Sequence, residues 1–566
     1  MWLALAVLLS PLPAELWRDR FLRLACGPFE VVTNAGEREG RRWIQHLEQM
    51  RAALARLIGK DELRPVWPIR VVLFESPRQL ASLGPLSGLT LVRDAYTAAA
   101  ARGPMAPTFL EACARVLLED GTRRLPRELD EGLAALFSTA ELQGASQVSI
   151  GRPPTERSRS WAKAHWLSVP AENYGKLRTL IRNLEQGVAE DAAYRNSFGM
   201  NPAEVDRAVG AYLAAGQFGT ADLSGRPLHP EKEIAVGAAE PAWTMAVLAD
   251  LVAANDARRG EARQLYESLG PAAPNATEPE EGLGLLALRA GNQIEAQRRL
   301  SAAVAKGSLN ARAHYELARL EPDPARARAA LEAAAKLNPR WALPHWELAR
   351  HETDPQRRLE RLKTAVSLAP RSPDYWIALA ELQHERKEFK ESARAWAAAE
   401  QAAPDEETRN RIRARREQAE LRRKQEEEAE RLRAAEEKRQ ELERLKQQAI
   451  ASIQAALEKA NQAAPPTSGN VEPWWDDPRP RHKAEGLLQR VDCLGKQARL
   501  VIATAPGKLL RLLVRDPAQV VFLGGGETTL GCGPQRAARK IRAEYLPQND
   551  AKLGTAGEVL VIEFPE

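Results

Sequence analysis

The side chains best suited to chemistry are sparse in this chain of 566 residues: eight histidines and four cysteines. None of His46, His165, His229, His314, His345, His351, His384 and His482 has a second imidazole four residues away, the spacing that sets two zinc ligands one helical turn apart. His345 and His351 fall almost on opposite faces of a helix, and His165, between Trp161 and Trp166, reads as a structural histidine in preference to a lone ligand. Cys26, Cys113, Cys493 and Cys532 are too few and too widely spaced for a disulfide scaffold or a zinc ribbon, and allow at most one or two isolated bridges. A Cys493 to Cys532 bridge would suit an oxidising compartment. Gly524, Gly525 and Gly526 are not followed by the Lys-Ser/Thr of a phosphate loop, so a turn is expected there. No cofactor is implied by any of these patterns.

Charge narrows the partners. The 81 basic and 76 acidic residues leave a net +5 over the whole chain, which gives no general attraction for polyanions. Residues 409–446 hold 14 basic and 10 acidic residues in 38 positions without Gly or Pro. Glu420 with Lys424 and Glu427 with Arg431 stand in the favourable i, i+4 order, so 407–462 is read as a long charged helix. Its apolar residues keep no 3.5-residue seam over the charged part, although Leu442, Leu445, Ala449, Ile453 and Leu457 form a later stripe. Interleaved glutamates and missing aromatics argue against nucleic acid as its partner.

At about 150 residues per domain the length calls for three or four domains. Residues 2–9 (WLALAVLL) are apolar, and the run out to Ala14 would reach only ~20 Å as a helix against a ~30 Å hydrocarbon slab, so no transmembrane segment is expected there. Residues 1–16 are read as a signal peptide, which predicts export to the periplasm or envelope. No basic residue precedes the run and Leu12 is large for the −3 position of a cut after Ala14, so the alternative is a buried first helix in a cytoplasmic protein.

Residues 241–406 are alanine-rich and periodic. Leu283, Leu317, Leu348 and Leu379 recur at 34, 31 and 31 residues, three of them followed by Ala and the first by Gly. That is the tetratricopeptide (TPR) period, shortened twice, and it predicts an α-solenoid of four repeats with 243–269 as a degenerate fifth. Small residues such as Ala303, Ala334 and Ala399 allow close helix approach, and Trp346, Trp376 and Trp396 are expected in the core or along the wall of a groove that holds a protein or peptide.

The first third alternates strand and helix: FEVVT at 29–33, an amphipathic helix through Trp43, Leu47, Met50, Leu54 and Leu57, and IRVVLF at 69–74. Together with LPRELDEGLAALFST, SFGMNP and VGAYLAAGQF, these segments resemble the peptidase MA-like zinc metalloprotease family of bacteria, over about residues 17–230. The resemblance implies an α+β zincin-like domain at 17–235, with a metal-binding H-E-x-x-H helix and a Glu ligand in the next helix. Here Leu110-Glu111-Ala112-Cys113-Ala114 takes the motif's place, so both imidazoles are lost, while Glu111 and Glu131 stand at the base and third-ligand positions. Two carboxylates without imidazoles favour hard cations over zinc, and Cys113 lies ~100° around the helix from residue 114.

After a Pro-rich linker at 463–483 with Trp474 and Trp475, short strands at 486–493, 498–504, 509–514, 520–523, 541–546 and 558–564 predict a small all-β barrel or sandwich over 484–566. The pattern reads as a multidomain, non-catalytic, protein-binding scaffold. The alternative is a zinc metallopeptidase that rebuilt its site from Glu111, Glu131 and Cys113 or His165.

Overall fold

The computed structural model describes residues 12–86, 88–173, 175–463, 479–523 and 530–565, and divides into two compact units, Met1–Ala435 and Glu436–Glu566. The apolar run at 2–9, Trp474, Trp475 and the glycines at 524–526 lie outside the described residues.

In the first unit, β1 (Leu22–Cys26), β2 (Phe29–Thr33), β3 (Ile69–Phe74), β4 (Thr90–Leu91), β5 (Tyr96–Ala101) and β9 (Ala235–Ala238) form one mixed sheet in the order β4-β5-β3-β2-β1-β9. β2, β3 and β5 run parallel, with α1 (Glu37–Ile58) crossing between β2 and β3. A second sheet joins β6 (Glu141–Gln143), β7 (Gln147–Ile150) and β8 (Ala221–Ser224).

Every residue of β2 and β3 is buried, because both faces of the central sheet are covered. Phe29, Val31, Ile69, Val71 and Leu73 meet α1 and the helices beyond it, including α2 (Pro107–Gly121), α3 (Arg127–Leu136) and α4 (Arg159–Ser168). On the other face Val32, Val72 and Phe74 share a core with Leu12, Leu16 and the helix pair α5 (Pro241–Ala253) and α6 (Arg259–Ala272). The segments 17–235 and 241–406 are therefore joined through a common core.

Four more hairpins follow: α7 (Glu278–Arg289) with α8 (Gln293–Ala305), α9 (Ala311–Leu320) with α10 (Pro324–Leu337), α11 (Ala342–Arg350) with α12 (Pro355–Leu368), and α13 (Pro373–Glu385) with α14 (Phe389–Ala402). Each helix packs on its predecessor, and Leu283, Leu317, Leu348 and Leu379 are all buried at equivalent places. Ala303, Ala334 and Ala399 are fully buried between helices, as close approach requires. The 58-residue helix α15 (Glu406–Ala463) begins against α13 and α14, where Ile412 is buried and Arg415 pairs with Glu381 at 2.6 Å. Residues 424–462 are all exposed.

In the second unit β10 (His482–Leu494), β11 (Gln497–Ala505), β12 (Lys508–Val514), β14 (Gly533–Asp550) and β15 (Thr555–Glu563) follow the order β12-β11-β10-β14-β15, closed by a parallel β12 to β15 pair, with β13 (Val521–Leu523) added on β15. This is the connectivity of an OB-type barrel, filled by Leu488, Leu500, Ile502, Leu512, Ile541 and Ile562. Cys493 and Cys532 are joined by a disulfide with Cα atoms 5.7 Å apart.

Candidate functional site

Leu110 and Ala114 are buried against the apolar core, so the motif-aligned face of α2 is a packing face. Glu111 pairs with Arg115 at 3.0 Å and Glu131 with Arg127 at 2.7 Å, each one helical turn along its own helix. Cys113 is fully buried, and burial pushes its thiol well up, away from the thiolate a metal needs. His165 sits on α4, which packs against α3. Its Nε2 lies 3.0 Å from the carbonyls of Gly151 and Gly219, and the Tyr212 hydroxyl lies 3.0 Å from its Nδ1. Burial lowers its pKa, which suits a neutral ring donating to the two carbonyls and accepting from Tyr212. Among the described residues no group of three or more His, Cys, Asp or Glu side chains is placed to hold a metal ion.

A concave feature lies elsewhere, and the docking of the repeats creates it. The junctions between successive hairpins, including the first turn of α9, meet the first domain one after another. Arg312 donates to the Val92 carbonyl at 2.8 Å, Asn338 to Val66 at 3.0 Å and Arg340 to Arg64 at 2.7 Å. Trp341 stacks edge-on against Trp67 at 5.0 Å. Arg371, one repeat further, grips Asp130 with two bonds of 2.6 and 2.9 Å and reaches the Leu118 and Thr122 carbonyls and the Thr122 hydroxyl at the end of α2. Arg124 donates back to the Ala402 carbonyl at 2.9 Å, and Gln401 donates to the Leu184 carbonyl.

At the start of the stack the attachment is ionic and buried. Arg93 bridges Asp250 of α5 and Glu281 of α7 at 3.2 and 2.9 Å, Arg70 pairs with Glu30 and Asp94, and the Tyr266 hydroxyl donates to Asp250. Ser308 and Asn310 complete the hydrogen bonding of Glu281.

Between the Arg371 contacts and those of Arg124 and Gln401, the first domain and the last hairpin enclose a cleft of about 1430 Å³. Its first wall carries Arg123, Arg124, Arg127 and Glu131; its second carries Trp376, Leu379 and Gln383 of α13 and Arg394, Ala395 and Ala398 of α14. Steps of three and four residues put Trp376, Leu379 and Gln383 on one helix face. The Trp376 indole donates to the Pro370 carbonyl at 2.9 Å, and the Arg123 guanidinium lies 5.5 Å above its ring.

Of the other tryptophans expected near a groove, Trp396 is 2 % exposed inside the core of the last hairpin. Trp346 is half-buried beside Tyr375, 5.4 Å between rings, with Arg350 over it. Gln383 and Arg394 had no sequence signal: a glutamine and an arginine in an alanine-rich helical repeat look like ordinary surface residues.

A scan against protein-family models finds no match, and a search of curated proteins finds none. Solved structures similar to part of the chain include MamA, at 19 % identity over 26 % of this chain and 89 % of that one, TM-score 0.24. YrrB, described as a TPR protein with an unusual peptide-binding site, is 16 % identical over 31 % of this chain and 92 % of its own, TM-score 0.26. TTC0263, a thermophilic TPR protein of Thermus thermophilus, is 24 % identical over 32 % of this chain and 99 % of its own, TM-score 0.22. YrrB and TTC0263 are described as TPR proteins, and each of the three structures resembles less than a third of this chain.

Proposed function

We propose that the chain is a non-catalytic scaffold of the bacterial cell envelope, in which a tetratricopeptide-type stack is clamped to a peptidase-type body and a protein partner is held in the cleft between them. The observation that carries this reading is the cleft of about 1430 Å³ lined jointly by the last hairpin and the α2–α3 region. Stacked hairpins present extended concave surfaces suited to peptides or helices. This stack is fixed edge-on by Arg312, Arg340 and Arg371, so the cleft is preformed.

Loss of peptidase chemistry is supported by Leu110 and Ala114, whose aliphatic side chains offer no lone pair, and by the separate ion pairs of Glu111 and Glu131. The competing metallopeptidase reading makes a distinct demand: purified full-length protein should hold stoichiometric zinc and cleave peptides, with cleavage lost in Glu111→Gln. The scaffold reading expects neither. A photo-crosslinker at position 398 in the full chain, expressed in its native host, should then trap a specific polypeptide in a 1:1 adduct; adducts as abundant from a crosslinker at exposed Arg207 would refute specific capture.

Residence in the envelope is favoured by the Cys493–Cys532 disulfide, since a cytosolic thiol pool would keep that pair reduced. Alkylation of protein in intact cells followed by mass analysis should find Cys493 and Cys532 unlabelled; full labelling would point to the cytoplasm.

A further inference from the structure

The cleft carries a more specific statement about its guest, one that rests on the scaffold reading. Gln383 is 5 % exposed and lines the cleft, yet its carboxamide oxygen is buried with no hydrogen-bond partner among the described residues. A buried acceptor left without a donor keeps its desolvation cost unreturned. A bound chain would supply what is missing, because an extended peptide backbone offers N–H donors at regular intervals. On the same wall, Ala395 and Ala398 of α14 present only methyl groups, which leaves room for a backbone to approach.

Charge sets the kind of side chain the guest carries. Eight arginines and six carboxylates line the cleft, with no lysine or histidine among the lining residues. Glu131, Asp130 and Glu400 are neutralised by Arg127, Arg371 and Arg413. Arg394 is exposed and has no carboxylate partner among the described residues; Arg123 rests on the Trp376 ring; Arg124 meets only the Ala402 carbonyl. Burial and the neighbouring Arg371 charge hold Arg124 below the usual arginine range, although Asp130, Glu119 and Asp405 act on it in the opposite sense. Planar guanidinium groups take carboxylates with two parallel bonds. Glu119, Glu190 and Glu391 remain on the walls and disfavour an unbroken acidic run, so acids separated by neutral residues fit best.

We propose that this cleft holds an extended, acidic peptide segment of a partner protein, its backbone N–H bonded to Gln383 and its carboxylates paired with Arg394, Arg123 and Arg124.

The test uses the full chain and a fluorescein-labelled ten-residue peptide of alternating Glu and Ala, followed by anisotropy, beside the same peptide with Gln in place of Glu. The acidic probe should bind saturably, at least tenfold more tightly than the Gln probe, and should weaken at least tenfold with Arg394→Glu and with Gln383→Leu. Arg394 is exposed, so Arg394→Glu leaves folding intact and keeps the test open if Gln383→Leu unfolds the hairpin; Arg207→Glu, outside the cleft, should change nothing. Equal affinity for the two probes, or an acidic probe indifferent to both cleft substitutions, overturns the inference. Equal affinities that still fall with Gln383→Leu would retain the scaffold reading and remove the acidic guest. Binding of neither probe also overturns the inference, and the scaffold reading then stands or falls on the crosslinking result alone.

Discussion

Replacing Arg371 by alanine is the sharpest test of how the repeats are held. The guanidinium makes two bonds to the Asp130 carboxylate and three to the end of α2, and the two side chains are only 11 % and 20 % exposed. Its removal takes both donors from the Asp130 carboxylate and the guanidinium donor from the Thr122 carbonyl, while the Leu118 carbonyl keeps the Thr122 N–H and hydroxyl. Charged hydrogen bonds contribute about 1.5–3 kcal/mol each, and breaking a fully buried ion pair costs about 3–5 kcal/mol. With partial solvent access, a loss of about 3 kcal/mol is expected. The chain is too large for a two-state analysis of global unfolding, so the readout is hydrogen exchange by mass spectrometry, in which the α13–α14 hairpin should lose about 3 kcal/mol of protection while β10–β15 is unchanged. A cycle with Asp130→Asn should return a coupling of about 1.5–2 kcal/mol, and Arg371→Lys should recover less than half because it lacks the planar fork. Protection within ~0.5 kcal/mol of the parent, or a coupling near zero, would show that Arg371 is not the clamp.

Three further outcomes follow from particular contacts. A Cβ on Gly132 would collide with the Ser160 carbonyl and Ala164, so Gly132→Ala should destabilise the α3–α4 packing by about 1–3 kcal/mol, whereas Gly210→Ala, which meets open space inside a helix, should be neutral or stabilising by up to about 1 kcal/mol in thermal melts. His165 and His46 both have pKa values lowered from 6.5 by burial, so the unfolded chain binds protons before the folded one does; their stabilisation is complete above pH 6.5 and declines as pH falls below it, and the melting temperature should drop between pH 7 and pH 5, less steeply in His165→Gln. Reducing Cys493–Cys532 opens a loop with a sequence separation of 39, and should lower the urea resistance of the barrel by about 4 kcal/mol on the chain-entropy relation, without changing the repeats.

Features written in local pattern were legible. The leucine period marks four of the five hairpins, the uninterrupted charged stretch lies within α15, and the short apolar runs after residue 484 overlap the barrel strands. Each depends on residues a few positions apart. What was hidden depends on pairs separated by hundreds of residues: Arg371 with Asp130, Arg93 with Asp250, and the second sheet face against α5. Nothing in the neighbourhood of a turn arginine distinguishes a clamp from a solvated side chain. Edge strand β9 is short and mostly exposed, so it carries no alternating pattern to find. Trp396 shows the opposite failure: an aromatic in a repeat suggests a wall, but only the packed hairpin shows that it faces the core.

The succession of different mates along the docked edge, Val92 for Arg312, Arg64 for Arg340 and Asp130 for Arg371, sets a limit on how this protein can change over evolutionary time. Free arrays of this kind gain or lose units by duplication and deletion at little penalty, because every unit sees only copies of itself. Here each joint is keyed to its own lock, so an inserted or excised unit would present every later key to the wrong lock. The number of hairpins is thereby frozen by the body they lie against, and novelty must come from substitutions inside existing units.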